Sequence, residues 1–260
     1  MIHVISLGAG VQSSTMALMA AHGEIGPMPD GAVFADTEWE PPAVYDWLEY
    51  LRLKLPFPIY SVTSGNLRQD ILDGMNSTLQ RIAAVPWFMK HQDSTAGMGR
   101  RQCTSEYKLR PIQRKIVEMT GGRKPSSATV WIGITTDEAS RMKPSRVKYI
   151  ENIWPLIELR MNRQDCLDWM KFNGYPEPPR SACIACPFHS NAEWRRIKAD
   201  PVLWQNAVEV DAAIRNQPKM RAQQFAHRSL VPLPDVDLST AEERGQLNMF
   251  ENECEGMCGV

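Results

Sequence analysis

The chain lacks a charge excess of either sign, and it lacks a long apolar run. It has 29 Lys and Arg against 30 Asp and Glu, a net charge of −1, so no overall field would draw it to nucleic acid or an acidic membrane. No apolar run approaches the roughly 18 residues that span a bilayer. The N-terminal sequence MIHVISLGAG has neither the basic start nor the long apolar stretch of a signal peptide. We therefore expect a cytoplasmic protein with no membrane partner.

Composition and cysteine content narrow the class further. The 260 residues are 43% hydrophobic and 23% charged, which is typical of a globular protein. This length allows one large α/β domain, or one domain with a small appendage. Disulfides are rare in the cytoplasm, so the 6 cysteines do not predict a disulfide framework. Metal binding, redox chemistry and core packing are the alternatives for them.

Strand and helix patterns alternate along the first part of the chain. Such alternation predicts an α/β fold, a doubly wound and mostly parallel sheet. We assign it to residues 1–160, followed by a helical part at 161–230 that carries the CxxC and an extended or mobile tail at 231–260. The predicted strands are 3–5, 32–35, 58–62 and 128–134. The predicted helices are 15–21, 42–55, 108–119, 162–172, 192–198 and 201–215, with a long loop over 76–101.

A glycine-rich segment, SLGAGVQSS at residues 6–14, lies between the first strand and the first helix. Glycines let backbone N–H groups converge on one point, and the helix N-terminus adds positive charge, so the segment suits an anion. It has no Gly-Lys-Ser/Thr and no third glycine, which excludes a Walker loop and a GxGxxG turn. A tight turn with a serine cap is the alternative.

This segment resembles the Ser-Gly-Gly-x-Asp-Ser pattern of the PP-loop adenine-nucleotide α-hydrolases, and the chain is most similar to their PAPS reductase branch. VFADTEWEPP resembles the family's Asp-Thr-Gly/Glu-x-x-Glu segment, and the residues after WIGI resemble its Gly-Ile-Arg-x-x-Glu-Ser-x-x-Arg segment. The resemblance implies ATP or an adenylyl-sulfate nucleotide as ligand, with Mg²⁺ as an accompanying ion. The implied nucleotide-binding residues are Ser6, Gly8, Gly10, Gln12, Ser13, Ser14, Asp36, Thr37 and Gly133. Gln12 stands where many members have Asp.

Basic residues near these segments are the implied partners of the anion. Lys108 lies in QCTSEYKLRPI, which resembles the family's Cys-Cys-x-x-x-Lys-x-x-Pro-Leu segment, and Arg141 ends the match that begins at Gly133. Lys and Arg donate charged hydrogen bonds to phosphate or sulfate oxygens. The resemblance implies that Lys108 and Arg141 are catalytic. A solvated helix face is the alternative for residues 108–115.

Cys183 and Cys186 form a CxxC, whose spacing lets two thiolates reach one metal or cluster. A redox pair and two buried small residues are the alternatives. The resemblance implies that Cys103 joins them in holding a [4Fe–4S] cluster, with Gln102 in place of the family's first Cys. The fourth iron ligand is then another cysteine, or one iron stays open. Zn²⁺ bound by three Cys and His189 is the alternative metal site.

The remaining cysteines have different expectations. Cys166 lies inside a predicted helix, where core packing is expected. Cys254 and Cys258 lie in a tail that resembles the mobile Glu-Cys-Gly-Leu-His end of the reductases, whose Cys attacks the sulfonucleotide. The resemblance implies that these two are catalytic. Incidental cysteines in a disordered tail are the alternative.

The resemblance therefore implies an enzyme that binds ATP or an adenylyl-sulfate nucleotide and uses an iron–sulfur cluster in sulfur chemistry. Adenylation with sulfur transfer and reduction of a sulfonucleotide both fit. The alternative is a non-catalytic, regulatory nucleotide-binding accessory of a phage or CRISPR-type system, with a nucleic-acid or nucleoprotein partner. A homodimer is an open assembly state.

Overall fold

The computed structural model describes residues 1–83, 85–218, 220–240 and 243. They divide into two compact units. The first unit comprises Met1–Ser64 and Ser105–Ala182, and the second comprises Gly65–Thr104 with the described residues from Cys183 onward. Each unit thus combines two separate stretches of chain, whereas the sequence predicted consecutive segments. In the described part of the chain, no helix is both long and apolar enough to cross a membrane.

Strands and helices are numbered in chain order through both units. The strands are β1 Ile2–Leu7, β2 Gly31–Asp36, β3 Ile59–Thr63, β4 Phe88–Lys90, β5 Ala96–Met98, β6 Ala128–Ile132, β7 Ile150–Ile153 and β8 Gln223–Phe225. The helices are α1 Val11–Ala21, α2 Pro42–Lys54, α3 Leu67–Leu72, α4 Arg110–Thr120, α5 Pro155–Glu158, α6 Arg163–Phe172, α7 Asn191–Ala199 and α8 Pro201–Ile214. A π-helical turn, Thr104–Leu109, precedes α4, and a 3₁₀ turn, Thr136–Arg141, follows β6.

The first unit contains a five-stranded sheet in the order β3-β2-β1-β6-β7. Every pair in it is parallel, so the predicted doubly wound parallel sheet is confirmed. The connections run outward from β1 in both directions, which makes the gap between β1 and β6 the switch point of the topology. Ligands of open α/β sheets bind at the carboxyl ends of the strands at such a point. The loops that follow β1 and β6 therefore frame the expected site.

Both faces of this sheet are buried. Ile5, Phe34 and Trp131 lie on the face that α1, α2 and α6 cover, whereas Val4 and Val130 lie on the face that α4 covers. Successive side chains of a strand point to opposite faces, so neighbours in sequence enter different cores. Strands buried on both faces read as continuous apolar runs, which is why β1, β2 and β6 were predictable.

The second unit contains a small antiparallel sheet in the order β5-β4-β8, and α8 packs against α3 and α7. The sequence predicted a loop over 76–101 and a helical part at 161–230; the structure has β4 and β5 in the first range and β8 in the second. Each of the three strands has only three residues. A strand of that length carries too little period-2 pattern to be recognised.

A buried carboxylate holds the second unit together. Asp211 is 1% exposed, and its two oxygens accept hydrogen bonds from the backbone N–H groups of Ala226 (2.8 Å) and Leu233 (2.9 Å). Its charge is balanced by Arg215, one helical turn later, which also lies over the Phe225 ring. One side chain thus fixes the end of β8 and the following turn against α8.

We predict that Asp211→Ala destabilises the protein by about 3 kcal/mol or more, because it leaves Arg215 and two buried N–H groups without their partner. Glu209→Ala is the matched control on the same helix. Glu209 pairs with Arg68 at 44% side-chain exposure, where an ion pair contributes less than about 1 kcal/mol. Urea unfolding measures both changes. Equal effects of the two substitutions would contradict the role of Asp211.

Candidate functional site

The loop between β1 and α1 is shorter than the sequence suggested. Only residues 8–10 lie between them, because α1 begins at Val11 rather than at residue 15. Ala9 has a positive φ of 57°, and Gly10 is the extended N-cap of α1 with no side-chain cap. The first-turn N–H groups of α1 therefore have no acceptor within the helix and no capping side chain. This end of α1 suits an anion.

Ser13 and Ser14, at the start of α1, have separate roles. The Ser13 hydroxyl accepts from the Gly8 N–H (3.1 Å) and donates to the Gly10 carbonyl (3.3 Å), so it closes the turn. Ser14 is fully buried and accepts the indole N–H of Trp47 at 2.8 Å, which fixes α1 against α2. Gln12 lies in the first turn of α1 and is half-buried. The Ser14 hydroxyl is thus committed to packing, and the exposed part of the loop is mainly backbone.

Gly133, which follows β6, lies against the first turn of α1. A Cβ at Gly133 would lie 2.8 Å from the Ser13 nitrogen and 2.9 Å from the Ser13 Cα, and the atoms it would meet are backbone. Real side chains do not approach so closely, so only glycine fits here. The structure therefore brings Gly133 and the glycine loop together at the switch point of the sheet, as ligand binding there requires.

The turn after β2 is organised by Asp36. Its Oδ1 accepts from the Glu38 N–H (2.7 Å) and the Tyr45 hydroxyl (2.9 Å), and Glu38 has a positive φ of 55°. Burial, reinforced by the hydrogen bond to Asp36, raises the pKa of Tyr45 well above its ordinary value. Tyr45 therefore stays protonated and donates. Asp36 lies at the carboxyl end of β2, as predicted, where it shapes the turn.

A buried carboxylate that the sequence analysis did not single out follows in the same turn. Glu40 accepts from the Thr37 hydroxyl at 3.1 Å and from the Lys108 ammonium at 3.3 Å. The Glu40 side chain is 0% exposed, whereas that of Lys108 is 36% exposed. A buried carboxylate needs such partners. Glu40 therefore holds Lys108 at the edge of the site while part of the lysine remains accessible.

Arg141 ends the 3₁₀ turn that follows β6. Its guanidinium pairs with Glu138 three residues earlier, and the arginine side chain is 40% exposed. Thr135, which precedes the turn, is fully buried, and its hydroxyl has no hydrogen-bond partner among the residues that the structure describes. The end of β6 thus supplies Gly133 to the loop and a half-exposed arginine nearby in the chain.

The cysteines of the predicted cluster all lie in the second unit and are all partly exposed. The Cys186 N–H donates to the Cys183 carbonyl at 2.9 Å, which closes the CxxC segment into a turn. The His189 Nε2 lies 3.0 Å from the Cys183 carbonyl and 3.1 Å from the Ile184 carbonyl. Because both partners are acceptors, Nε2 donates, and only Nδ1 could serve as a zinc ligand.

One contact ties the segment of Cys103 to the CxxC segment. The guanidinium of Arg101, two residues before Cys103, lies 5.1 Å from the ring centre of Phe188, two residues after Cys186. Within the described residues, no three His, Cys, Asp or Glu side chains form a group that could hold a metal. Joint metal coordination by the three cysteines therefore stays a prediction.

Three buried rings, those of His189, Trp194 and His227, pack edge-on beside the CxxC turn. Trp194 packs edge-on against His189, with ring centres 5.1 Å apart, and against His227 at 6.4 Å. The His227 Nδ1 accepts from the Ser229 N–H at 3.1 Å, and its Nε2 donates to the Asn191 side-chain oxygen at 3.1 Å. Desolvation by burial lowers the pKa of His227 to about 4. The ring is thus held neutral beneath the turn.

The other cysteines separate clearly. Cys166 is fully buried in the core of the first unit, as predicted, and burial raises the pKa of its thiol to about 12. Cys254 and Cys258 lie outside the described residues. Their predicted catalytic role therefore stays a prediction.

Known proteins resemble this chain in structure rather than in sequence. No family model matches the chain, and no curated protein matches it by sequence. Among solved structures, the chain is similar to a phosphoadenylyl-sulfate (PAPS) reductase from Candida auris in complex with phosphate. The TM-score is 0.42 and the identity 15%, over 68% of this chain and 75% of that one. The assignment of the site therefore rests on its own residues.

We predict that the second unit loses stability in acid because of His227. Its pKa is about 4 when folded against 6.5 for the unperturbed side chain, so the unfolded state binds the proton first. The stability that the neutral His227 contributes to the folded state is complete above about pH 6.5 and is lost as the pH falls towards 4. Between pH 7.5 and 5 the loss is about 2 kcal/mol.

Urea unfolding at a series of pH values measures this loss. In His227→Gln, which keeps a donor and an acceptor but cannot titrate, the loss over the same pH range should shrink by that amount. Parallel pH profiles for the two proteins would contradict the assignment.

Proposed function

We propose that the first unit binds ATP or an adenylyl-sulfate nucleotide, with its phosphates at the glycine loop. The observation that carries this proposal is the close approach of Gly133 to the backbone of Ser13 beside the uncapped start of α1. Only glycine fits against the first turn of α1, whose start has no side-chain cap, at the switch point of a parallel sheet. That combination is the arrangement that phosphate groups require.

Charged side chains complete the proposed site. Lys108, held by Glu40, and Arg141, held by Glu138, would donate to oxygens of the phosphate or sulfate group. A cation that is already oriented loses little freedom when the anion arrives, so the two acids act as positioning groups. We assign to Lys108 and Arg141 the stabilisation of charge that develops on the departing oxygens.

Two reactions fit this site. In the first, the bond between the α- and β-phosphates of ATP breaks, the acceptor becomes adenylated and pyrophosphate leaves. In the second, a cysteine thiolate bonds to the sulfur of a bound sulfonucleotide, the bond between that sulfur and the phosphate oxygen breaks, and the nucleotide leaves. A second thiol then releases sulfite from the cysteine and forms a disulfide with it. Pyrophosphate release on mixing with ATP distinguishes them. Each needs the same phosphate cradle, so nucleotide binding is the property to test first.

We further propose that Cys103, Cys183 and Cys186 in the second unit hold a [4Fe–4S] cluster. The donor set supports it, since thiolates are the usual ligands of such clusters. The Arg101–Phe188 contact and the closed CxxC turn support it because they bring the two cysteine segments together and fix one of them. Bound through three thiolates, a cluster would offer one iron open to a sulfur species.

We predict that Gly10→Val weakens ATP binding about tenfold or more, because the added side chain blocks the converging N–H groups. The fold should tolerate the change at this position. Gly10 has φ −97° and ψ −179°, and a Cβ there would meet the Ser181 Cβ at 3.7 Å, an ordinary contact. Calorimetric titration with ATP measures the affinity.

Gly121→Ala is the control for an indirect effect through stability. Gly121 caps α4 with a φ of 67°, so alanine strains that backbone without touching the loop. Its affinity for ATP should be that of the parent protein. Unchanged ATP affinity in Gly10→Val would refute the phosphate site.

We predict that protein prepared without oxygen contains about four iron and four sulfide per chain, and that Cys103→Ser loses them. Cys166→Ser is the matched control, because its thiol is buried in the core of the first unit and should leave the metal content unchanged. Iron, sulfide and zinc assays with an absorbance spectrum measure the outcome.

Further variants distinguish the alternatives for the fourth ligand. Iron retained in Cys254→Ser/Cys258→Ser supports an open iron, and iron lost there assigns the ligand to the tail. Stoichiometric zinc without iron or sulfide in the parent protein would overturn the cluster. His189→Ala would then test the zinc site.

A further inference from the structure

A cleft of about 530 Å³ opens in the second unit, where β4 pairs with β8. Lys90 and His91 line it from the end of β4. Arg221 and Gln223 line it at the start of β8, and Asn216 and Gln217 line it after α8. Its volume falls in the range of sites for small ligands and exceeds the size of a single inorganic phosphate. None of the proposed nucleotide-binding or metal-binding residues lines it.

The charge of this cleft has one sign. Its described lining contains Lys90, His91 and Arg221 and no Asp or Glu, in a chain whose net charge is −1. The acid next to it in sequence, Asp93, is not part of the lining; it accepts hydrogen bonds from the N–H (3.0 Å) and hydroxyl (2.6 Å) of Thr95. Its charge interacts with His91, so Lys90 and Arg221 are the cations that the lining offers to an anion. The cleft therefore favours an anion.

Three carbonyls at the end of α8 have hydrogen-bond partners. The Ala212 carbonyl accepts from the Arg215 N–H, and the carbonyls of Ile214 and Arg215 accept from the side chain and backbone of Gln224. Carbonyls at a helix C-terminus repel anions when they are unpaired. Here the partners of the last turn reduce that repulsion beside the cleft.

Amide side chains supply the second part of the recognition. Asn216, Gln217 and Gln223 line the cleft, and the Gln223 amide N–H donates to the Asn216 side-chain oxygen at 3.2 Å. Amides present a donor and an acceptor together, which is the pattern that the edge of a nucleobase requires. Cations for an anion and amides for a base edge thus lie in one cleft.

We propose that this cleft binds a phosphate ester of mononucleotide size, with Lys90 and Arg221 on the phosphate and the amides on the base. The site is separate from the glycine loop, and the proposal does not depend on nucleotide binding there. The ester belongs either to a free nucleotide or to one nucleotide of a single strand. Both carry a phosphate ester and a base.

The test uses full-length protein carrying Gly10→Val, so that binding at the glycine loop does not mask the cleft. Calorimetry with 5′-AMP and with inorganic phosphate, and fluorescence anisotropy with a labelled short oligouridylate, give the affinities. We expect Lys90→Gln/Arg221→Gln to weaken binding of AMP or of the oligouridylate about tenfold or more, because two charged hydrogen-bond donors are lost.

The matched control is Arg123→Gln/Lys124→Gln, which removes the same charge from an exposed turn of the first unit. It should leave the affinity within about twofold. If Lys90→Gln/Arg221→Gln loses affinity for AMP, the ligand is a free nucleotide. If it loses affinity for the oligouridylate alone, the ligand is a single strand. The proposal would be overturned if neither AMP nor the oligouridylate binds, or if the control pair loses as much affinity as Lys90→Gln/Arg221→Gln. It would also be overturned if inorganic phosphate binds as tightly as AMP.

Discussion

The contact between Gly133 and the backbone of Ser13 is the constraint on which the candidate site depends. It exists because β6 pairs in parallel with β1, which brings the carboxyl ends of both strands to one edge. With 2.8 Å between a would-be Cβ and the Ser13 nitrogen, the end of β6 can approach α1 only without a side chain. The approach fixes the start of α1, and Ser14 then holds α2 through Trp47. The position of α1 relative to the sheet is thus fixed by this backbone contact, and α2 is joined to α1 by the Ser14–Trp47 hydrogen bond.

Buried carboxylates organise both units in a similar way. Asp211 accepts hydrogen bonds from two backbone N–H groups and pairs with one arginine, so its charge stabilises the second unit. Glu40 is equally buried, but its partner Lys108 remains 36% exposed. Because Lys108 pairs with the buried Glu40 and is still partly exposed, it can also donate a hydrogen bond to an anion of a ligand. The two acids show how the same physical requirement, a partner for a buried charge, yields a scaffold in one place and an oriented cation in the other.

The central strands β1, β2 and β6 were predictable because they are apolar on both faces, and so were the helices that carry apolar stripes or caps such as Asn162 of α6. The edge strand β7 was missed because its sequence, IENI, is only partly buried. The glycine loop and Asp36 could be placed at the carboxyl edge for the same reason. Glu40 was missed although it stands four residues after Asp36, because nothing in sequence tells a buried acid from an exposed one. The short strands β4, β5 and β8 were missed because pairing between distant segments, rather than local pattern, forms them.

The geometry of His189 bears on the nature of the metal site. Its Nε2 donates to two carbonyls of the CxxC turn, and its ring packs on Trp194, which in turn packs on the neutral His227. A zinc ion bound by His189 would have to use Nδ1 while these bonds are kept, or else break the bonds that hold the turn. Three cysteines with an iron–sulfur cluster require neither. If the proposed cluster is bound, the imidazole would serve to hold the CxxC backbone in place, and a substitution at His189 would act through the turn rather than through a lost ligand.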